Sequence, residues 1–146
     1  MVEVPLVRLD PGATVPTYAR DGDAGADLVA GEDVLLAPAG GRALIGTGVA
    51  VAIPPGYAGF VLPRSGLAVH HGVTCLNTPG LIDSGFRGEL KVVLVNTDPA
   101  VAHQVRRGDR IAQLVIHAVE QACFAPMDDL PAGARGEQGF GSTGAR

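Results

Sequence analysis

Glu89-Leu90-Lys91-Val92-Val93-Leu94-Val95-Asn96 is the stretch that decides the fold. In an extended chain Leu90, Val92 and Leu94 share one face. Lys91, Val93 and Val95 share the other, which is mostly apolar too. A strand covered on both faces, in a sandwich or at a subunit contact, fits that pattern. Outward from it, apolar runs bounded by Pro, Gly or Asp read as strands at Val4–Leu9, Val34–Leu36, Ala43–Ile53 and Tyr57–Leu62. Val73–Leu76, Arg110–His117 and Val119–Phe124 complete the set. Many strands at short spacing imply a sandwich or jelly-roll-like body.

The rest of the composition agrees. The chain of 146 residues fits one domain, and its 21 Gly and 11 Pro would break a helical bundle but suit tight turns. Aromatics make up only 4%, so the core must be Val, Leu, Ile and Ala. One helical turn is expected from Arg64-Ser65-Gly66-Leu67-Ala68, with Ser65 as its N-cap. The formal net charge of −4 argues against a nucleic-acid polymer as partner, though not against a small phosphorylated ligand held by a few arginines. Cys75 and Cys123 fit no zinc or disulfide pattern and read as small buried hydrophobes. With no signal-like or membrane-spanning run, a reducing cytoplasm is the expected location. The last stretch, AGARGEQGFGSTGAR (132–146), holds 5 Gly in 15 residues and should be mobile alone, yet its backbone N–H groups suit a phosphate chain.

Four segments carry candidate chemistry. In Pro63-Arg64-Ser65-Gly66-Leu67-Ala68, Gly66 allows close backbone approach, Ser65 supplies a hydroxyl and Arg64 a planar fork for phosphate oxygens. An ordinary capped turn with a surface arginine would use the same letters. In Gly80-Leu81-Ile82-Asp83-Ser84-Gly85-Phe86-Arg87-Gly88, Asp83 could deprotonate a water and Phe86 could pack on a sugar. The plain alternative is a hairpin in which Asp83 makes a turn hydrogen bond and Phe86 joins the core. Asp21-Gly22-Asp23-Ala24-Gly25-Ala26-Asp27 offers carboxylates to the waters of a magnesium ion, or is an acidic surface turn. Gln113, in Arg107-Gly108-Asp109-Arg110-Ile111-Ala112-Gln113-Leu114, either reaches a ligand or faces solvent. His70, His71, His103 and His117 show no metal spacing, and neither a nucleophile elbow nor a Walker A loop is present.

Taken together, AGADL (24–28), PRSGLA (63–68), GLIDSGFRG (80–88), RRGDRIAQL (106–114) and RGEQGFGSTG (135–144) resemble, in order, the five motifs of the trimeric dUTP pyrophosphatase family. The resemblance implies an all-β, distorted jelly-roll or β-clip-like domain over 1–131, a flexible arm over 132–146, and a homotrimer with shared active sites. It implies hydrolysis of dUTP to dUMP and pyrophosphate with Mg2+, limiting uracil in DNA and supplying dUMP for dTMP synthesis. One subunit would give Asp27, which holds magnesium through water, together with Arg64, Ser65, Gly66 and Gln113 for the phosphates. A second would give Asp83 as the catalytic base, Phe86 for the sugar, and Asn77 with nearby hairpin backbone for uracil. A third would lend Arg135 to the γ-phosphate, Phe140 to stack on uracil, and Gly141, Ser142 and Thr143 to close on the phosphates. The chain departs from the family at Phe86, where Tyr is usual; the ring face remains and the phenol hydrogen bond is lost.

Two rivals are weighed against this. The related dCTP deaminases carry a catalytic Glu where this chain has Val93, which cannot shuttle protons, and a second Ser where it has Gly66. A non-catalytic β module that binds a nucleotide or protein would be expected to lose Asp83 or the arm, and both are kept.

Overall fold

The computed structural model describes residues 1–134, 136 and 137. The described residues form ten strands, with one short helix between the fifth and sixth, and most of the strands gather into two four-stranded antiparallel sheets. The first contains β1 (Leu6–Arg8), β4 (Arg42–Val51), β8 (Glu89–Asn96) and β6 (Val73–Cys75), in the order β1-β4-β8-β6. The second contains β2 (Ala26–Val29), β10 (Arg110–Ala118), β5 (Tyr57–Leu62) and β7 (Gly80–Ile82), in the order β2-β10-β5-β7. A two-stranded ribbon of β3 (Val34–Leu36) and β9 (His103–Val105) completes the body.

The alternation in 89–96 does what its letters ask. Leu90, Val92 and Leu94 are buried, while on the other face Lys91 is exposed, Val93 half-buried and Val95 buried. Those three leucines and valines join Ile45, Val49 and Val73 of their own sheet, and Leu28, Val61, Ile111 and Leu114 of the other, in one core. That core is aliphatic, and dispersion and burial among close-packed Val, Leu and Ile hold the sheets together. β4 runs ten residues and carries an irregularity between Gly46 and Ala50. Its polar groups are satisfied there: the Thr47 hydroxyl donates to Leu90 O (2.7 Å) and Gly48 N–H to a Glu89 carboxylate oxygen (2.9 Å). The buried Asn96 ties β8 to the end of β3 and to the loop before β9 by donating to Leu36 O (3.2 Å) and Val101 O (2.9 Å), and it accepts from Asp98 N–H (3.0 Å).

Several expectations need correction. The helix, α1, spans Ser65–His71, and its N-cap is Arg64, extended and without a side-chain cap bond; Ser65 is already helical. An arginine side chain has no acceptor for a helix N–H, and the Arg64 guanidinium instead lies beside Asp27 and donates to Arg110 O. Val119–Phe124 is not a strand: Val119 N–H still reaches Gly56 O, after which the chain leaves the sheet and Phe124 is 90% exposed. Cys123 lies on that stretch and is exposed, whereas Cys75 is buried as expected. Residues 80–88 are not a hairpin, because β7 pairs with β5 in one sheet and β8 with β4 and β6 in the other. No helix among the described residues is long and apolar enough to cross a membrane.

Candidate active site

β10 is hydrogen-bonded on both sides, and this places the candidate residues. Gln113 sits opposite Asp27 of β2 on one flank and opposite Leu62 of β5 on the other. Leu62 ends β5, so the next residues, Pro63 to Gly66, start beside Gln113. Ladder register therefore assembles Asp27, Arg64, Ser65, Gly66 and Gln113 around one open cleft of about 610 Å³. The Gln113 amide donates to Pro63 O (3.0 Å), fixing it against the entrance to α1.

A bulge adds a member that sequence reading did not single out. Strand alternation alone would put Arg110 and Gln113 on opposite faces, since they are three positions apart. The register between β10 and β2 shifts between Arg110 and Ala112, and Ile111 and Ala112 are consecutively buried. One extra residue re-aims the side chains before it. Arg110 thus lines the cleft and its Nη1 lies 3.2 Å from one Asp27 oxygen, while Arg64 Nε lies 3.5 Å from the other.

Asp27 is 16% exposed and Arg64 29%, so this carboxylate between two guanidiniums is partly shielded from water. Arg20 and Asp23 also line the cleft, with Arg20 N–H donating to the Asp23 carboxylate (2.9 Å). Three guanidiniums face two carboxylates there, leaving a positive balance in a chain that is negative overall. Gly25 makes room for Gln113, since a Cβ on it would sit 2.6 Å from the Gln113 amide oxygen. A Cβ on Gly66 would meet nothing within 4 Å among the described residues, so against them its bareness serves no packing purpose.

Asp83 is elsewhere. It lines a separate hollow of about 540 Å³ with Pro55, Tyr57, Ser84 and Glu120, and shares none of the residues of the Asp27 cleft. Its loop turns tightly, with Phe86 N–H donating to Asp83 O (3.1 Å). Phe86 is 42% exposed and so is no core residue; its ring lies against Gly88, where a Cβ would come within 2.7 Å of Cζ. Asn77 is exposed just before β7, and a Cβ on Gly80 would be 3.2 Å from its Nδ2. Arg135, Phe140, Gly141, Ser142 and Thr143 lie outside the described residues.

No trio of His, Cys, Asp or Glu among the described residues forms a metal cage. Magnesium commonly keeps several waters and is held by one or two carboxylates plus ligand phosphates, and Asp27 with Asp23 at an open cleft fits that mode.

Two β-sheets with a guanidinium-rich cleft at the middle of a central strand define a class: all-β proteins suited to a small anionic ligand. The particular family is settled by comparison. The dUTPase family model matches residues 12–144. The deoxyuridine 5'-triphosphate nucleotidohydrolase of Thermobifida fusca is 59% identical over 98% of this chain and 79% of its own length. That of Cutibacterium acnes is 55% identical over 98% of this chain and 92% of its own. The dUTPase of Staphylococcus bacteriophage 80alpha, solved with dUpNHpp, superposes with a TM-score of 0.91 at 27% identity, covering 99% of each chain. The dUTPase of phage phi11 of S. aureus, in which coordination of a structural Mg(II) ion is described, gives 0.82 at 26% identity over 90% of this chain and 100% of that one. The chain belongs to the dUTPase family. With that membership the expectation of an enzyme, a dUTP diphosphatase, holds.

Proposed function

We propose that the protein hydrolyses dUTP to dUMP and pyrophosphate at sites shared between the subunits of a homotrimer. The observation that carries this is the separation of the two half-sites. In the anion cleft of Asp27, Arg64, Ser65, Gly66 and Gln113 the Asp27 carboxylate is engaged by two guanidiniums and Asp23 accepts from Arg20 N–H, while Asp83 stands in a hollow lined, among the described residues, by no arginine. A second copy bringing its Asp83, Asn77 and Phe86 to the first copy's cleft would complete the set. A third would contribute the arm, residues 132–146, beyond a domain over 1–131.

In this reading the triphosphate lies along the cleft, where Arg64 neutralises charge and Ser65, Gly66 and Gln113 fix its course. Phosphoryl transfer depends mainly on such alignment and charge neutralisation. Asp83 takes a proton from a water whose oxygen attacks the α-phosphorus; the α–β bridging P–O bond breaks and pyrophosphate leaves. A magnesium ion held through its waters by Asp27 would add further charge neutralisation on the phosphates. Phe86 covers the sugar and Asn77 reads uracil. Arg135, Phe140, Gly141, Ser142 and Thr143 close over the γ-phosphate, base and phosphate chain, excluding bulk water. The enzyme would act in the cytoplasm on free dUTP, keeping uracil out of DNA and supplying dUMP for dTMP synthesis. Deamination of dCTP is disfavoured by Val93, a half-buried hydrocarbon paired with Leu44, which can carry no proton.

Complementation tests the reading directly. Asp83→Asn should bind dUTP with little turnover, and Gln113→Ala should weaken binding of the phosphate chain. Mixed and reassembled, the two variants should regain activity, because some sites then draw an intact half from each. Full turnover by Asp83→Asn alone, or no recovery on mixing, would sink it.

A further inference from the structure

Resting on that reading of Asp83, we propose that Arg87 is a positioning residue that holds the Asp83 carboxylate and the Phe86 ring in working geometry. Residues 83–88 cross from one sheet to the other, and Asp83, Gly85, Phe86, Arg87 and Gly88 are all exposed; only Ser84 is half-buried. Packing within the chain therefore does not fix this crossing. A Cβ on Gly85, at its apex, would meet nothing within 4 Å. The constraint comes from Arg87, whose Nη1 donates to Ser84 O at 2.6 Å and to Phe86 O at 2.7 Å. One nitrogen thereby ties together the two carbonyls that flank Gly85. With the bond from Phe86 N–H to Asp83 O, the main chain from 83 to 86 becomes one small rigid unit.

That unit sets two functional groups at once. The Asp83 carboxylate leaves it at one end, and the Phe86 ring leaves at the other and lies over Gly88. Removing the donor would let Gly85 relax, and both groups would move together. A base displaced by about an ångström loses on the order of 100-fold in rate when reacting atoms must be aligned. A displaced ring would cover the sugar less well and discriminate less against a ribose hydroxyl.

The test compares Arg87→Met, which keeps the stem without a donor, with Arg87→Lys, whose ammonium can donate to both carbonyls. Steady-state kcat and KM are measured on dUTP and UTP, with Asp83→Asn alongside. The proposal expects Arg87→Met to lose roughly 10- to 100-fold in kcat on dUTP, with KM moving far less and the preference for dUTP over UTP contracting. Arg87→Lys should recover most of both. Wild-type kcat and preference in Arg87→Met, with Asp83→Asn inactive, would overturn the role of Arg87 alone. Substantial turnover by Asp83→Asn would instead overturn the reading beneath it. Should Arg87→Met fail to fold, Arg87→Lys decides: a folded Lys variant as defective as an inactive Asp83→Asn overturns the proposal, and near-normal kcat and preference support it.

Discussion

Gly25→Ala and Gly66→Ala are the same change at two walls of one cleft, and they should fail differently. At Gly25 the new Cβ would sit 2.6 Å from the Gln113 amide oxygen and 3.1 Å from its Cβ and Cδ. The amide oxygen could swing aside, but Gln113 Cβ is tied to β10, which is laddered on both flanks, and cannot retreat freely. Gln113 must therefore turn off Pro63 O and give up its 3.0 Å hydrogen bond. A hydrogen bond of this kind contributes about 0.5–1.5 kcal/mol net. The same loss at the ligand would lower kcat/KM roughly 2- to 12-fold, since 1.4 kcal/mol is tenfold. Melting temperature should fall by a few degrees at fixed protein concentration. At Gly66 a Cβ meets nothing within 4 Å among the described residues and the position is helical, so melting should hold or rise slightly, while any loss of kcat/KM reports a ligand or other chain segment close to that backbone. The assays are thermal unfolding and pyrophosphate release from dUTP. Wild-type stability and wild-type kcat/KM in Gly25→Ala would refute the steric reasoning; a destabilised Gly66→Ala would refute the claim that its surroundings within the chain are open.

Asn96→Leu should cost about 2–4 kcal/mol of stability, because Leu36 O, Val101 O and Asp98 N–H lose a buried partner, and chemical denaturation would measure it. The Cys75 thiol is pushed up to about 11 by burial, so at pH 8 it should react with a thiol reagent only after unfolding; fast native labelling at Cys75 would contradict this. Burial, and then the neighbouring His71, hold the His103 imidazole below its usual range, partly opposed by Asp109. The unfolded chain therefore takes up that proton first, and stability should decline as pH falls below about 6.5. Melting curves of His103→Gln should show a shallower decline over that window, and an unchanged slope would remove His103 from the cause.

How much was legible in the sequence varies with distance along the chain. β8 could be read because its eight residues alternate and its inward face is Leu90, Val92 and Leu94, with no partner needed to see it. The short β2 could not, since its four residues follow a charged turn, and only pairing with β10 makes them a strand. The same holds for β9, whose His103-Gln104-Val105 is recruited by β3. Val119–Phe124 errs the other way: its letters suit a strand, yet among the described residues only Val119, at its start, bonds to a neighbour. For the site, Asp27, Arg64, Ser65, Gly66 and Gln113 were identifiable as separate motifs, and the structure shows the ladder that gathers them. Nothing in RRGDRIAQL marks Arg110 as a site residue, because a bulge is a property of two strands in register and leaves no mark in one. Asp23 belongs to a turn that reads equally as carboxylates for magnesium waters or as acidic surface, and Arg20, just before it, carries no signal of its own.

The bulge in β10 also works as a frame lock. On its near side the strand exposes Arg110; beyond it, Leu114 is the residue that must point inward. A uniform strand can slide by two residues and keep its inside and outside in order. A strand whose alternation skips a beat at one place cannot, because any slide would leave the skip out of step with β2 and drive either a guanidinium into the aliphatic core or Ile111 out of it. The irregularity that turns Arg110 toward Asp27 thus also forbids the nearest misfolded pairings of the central strand. A change that straightened β10 would be felt first as heterogeneity in refolding, before any loss of chemistry could be measured.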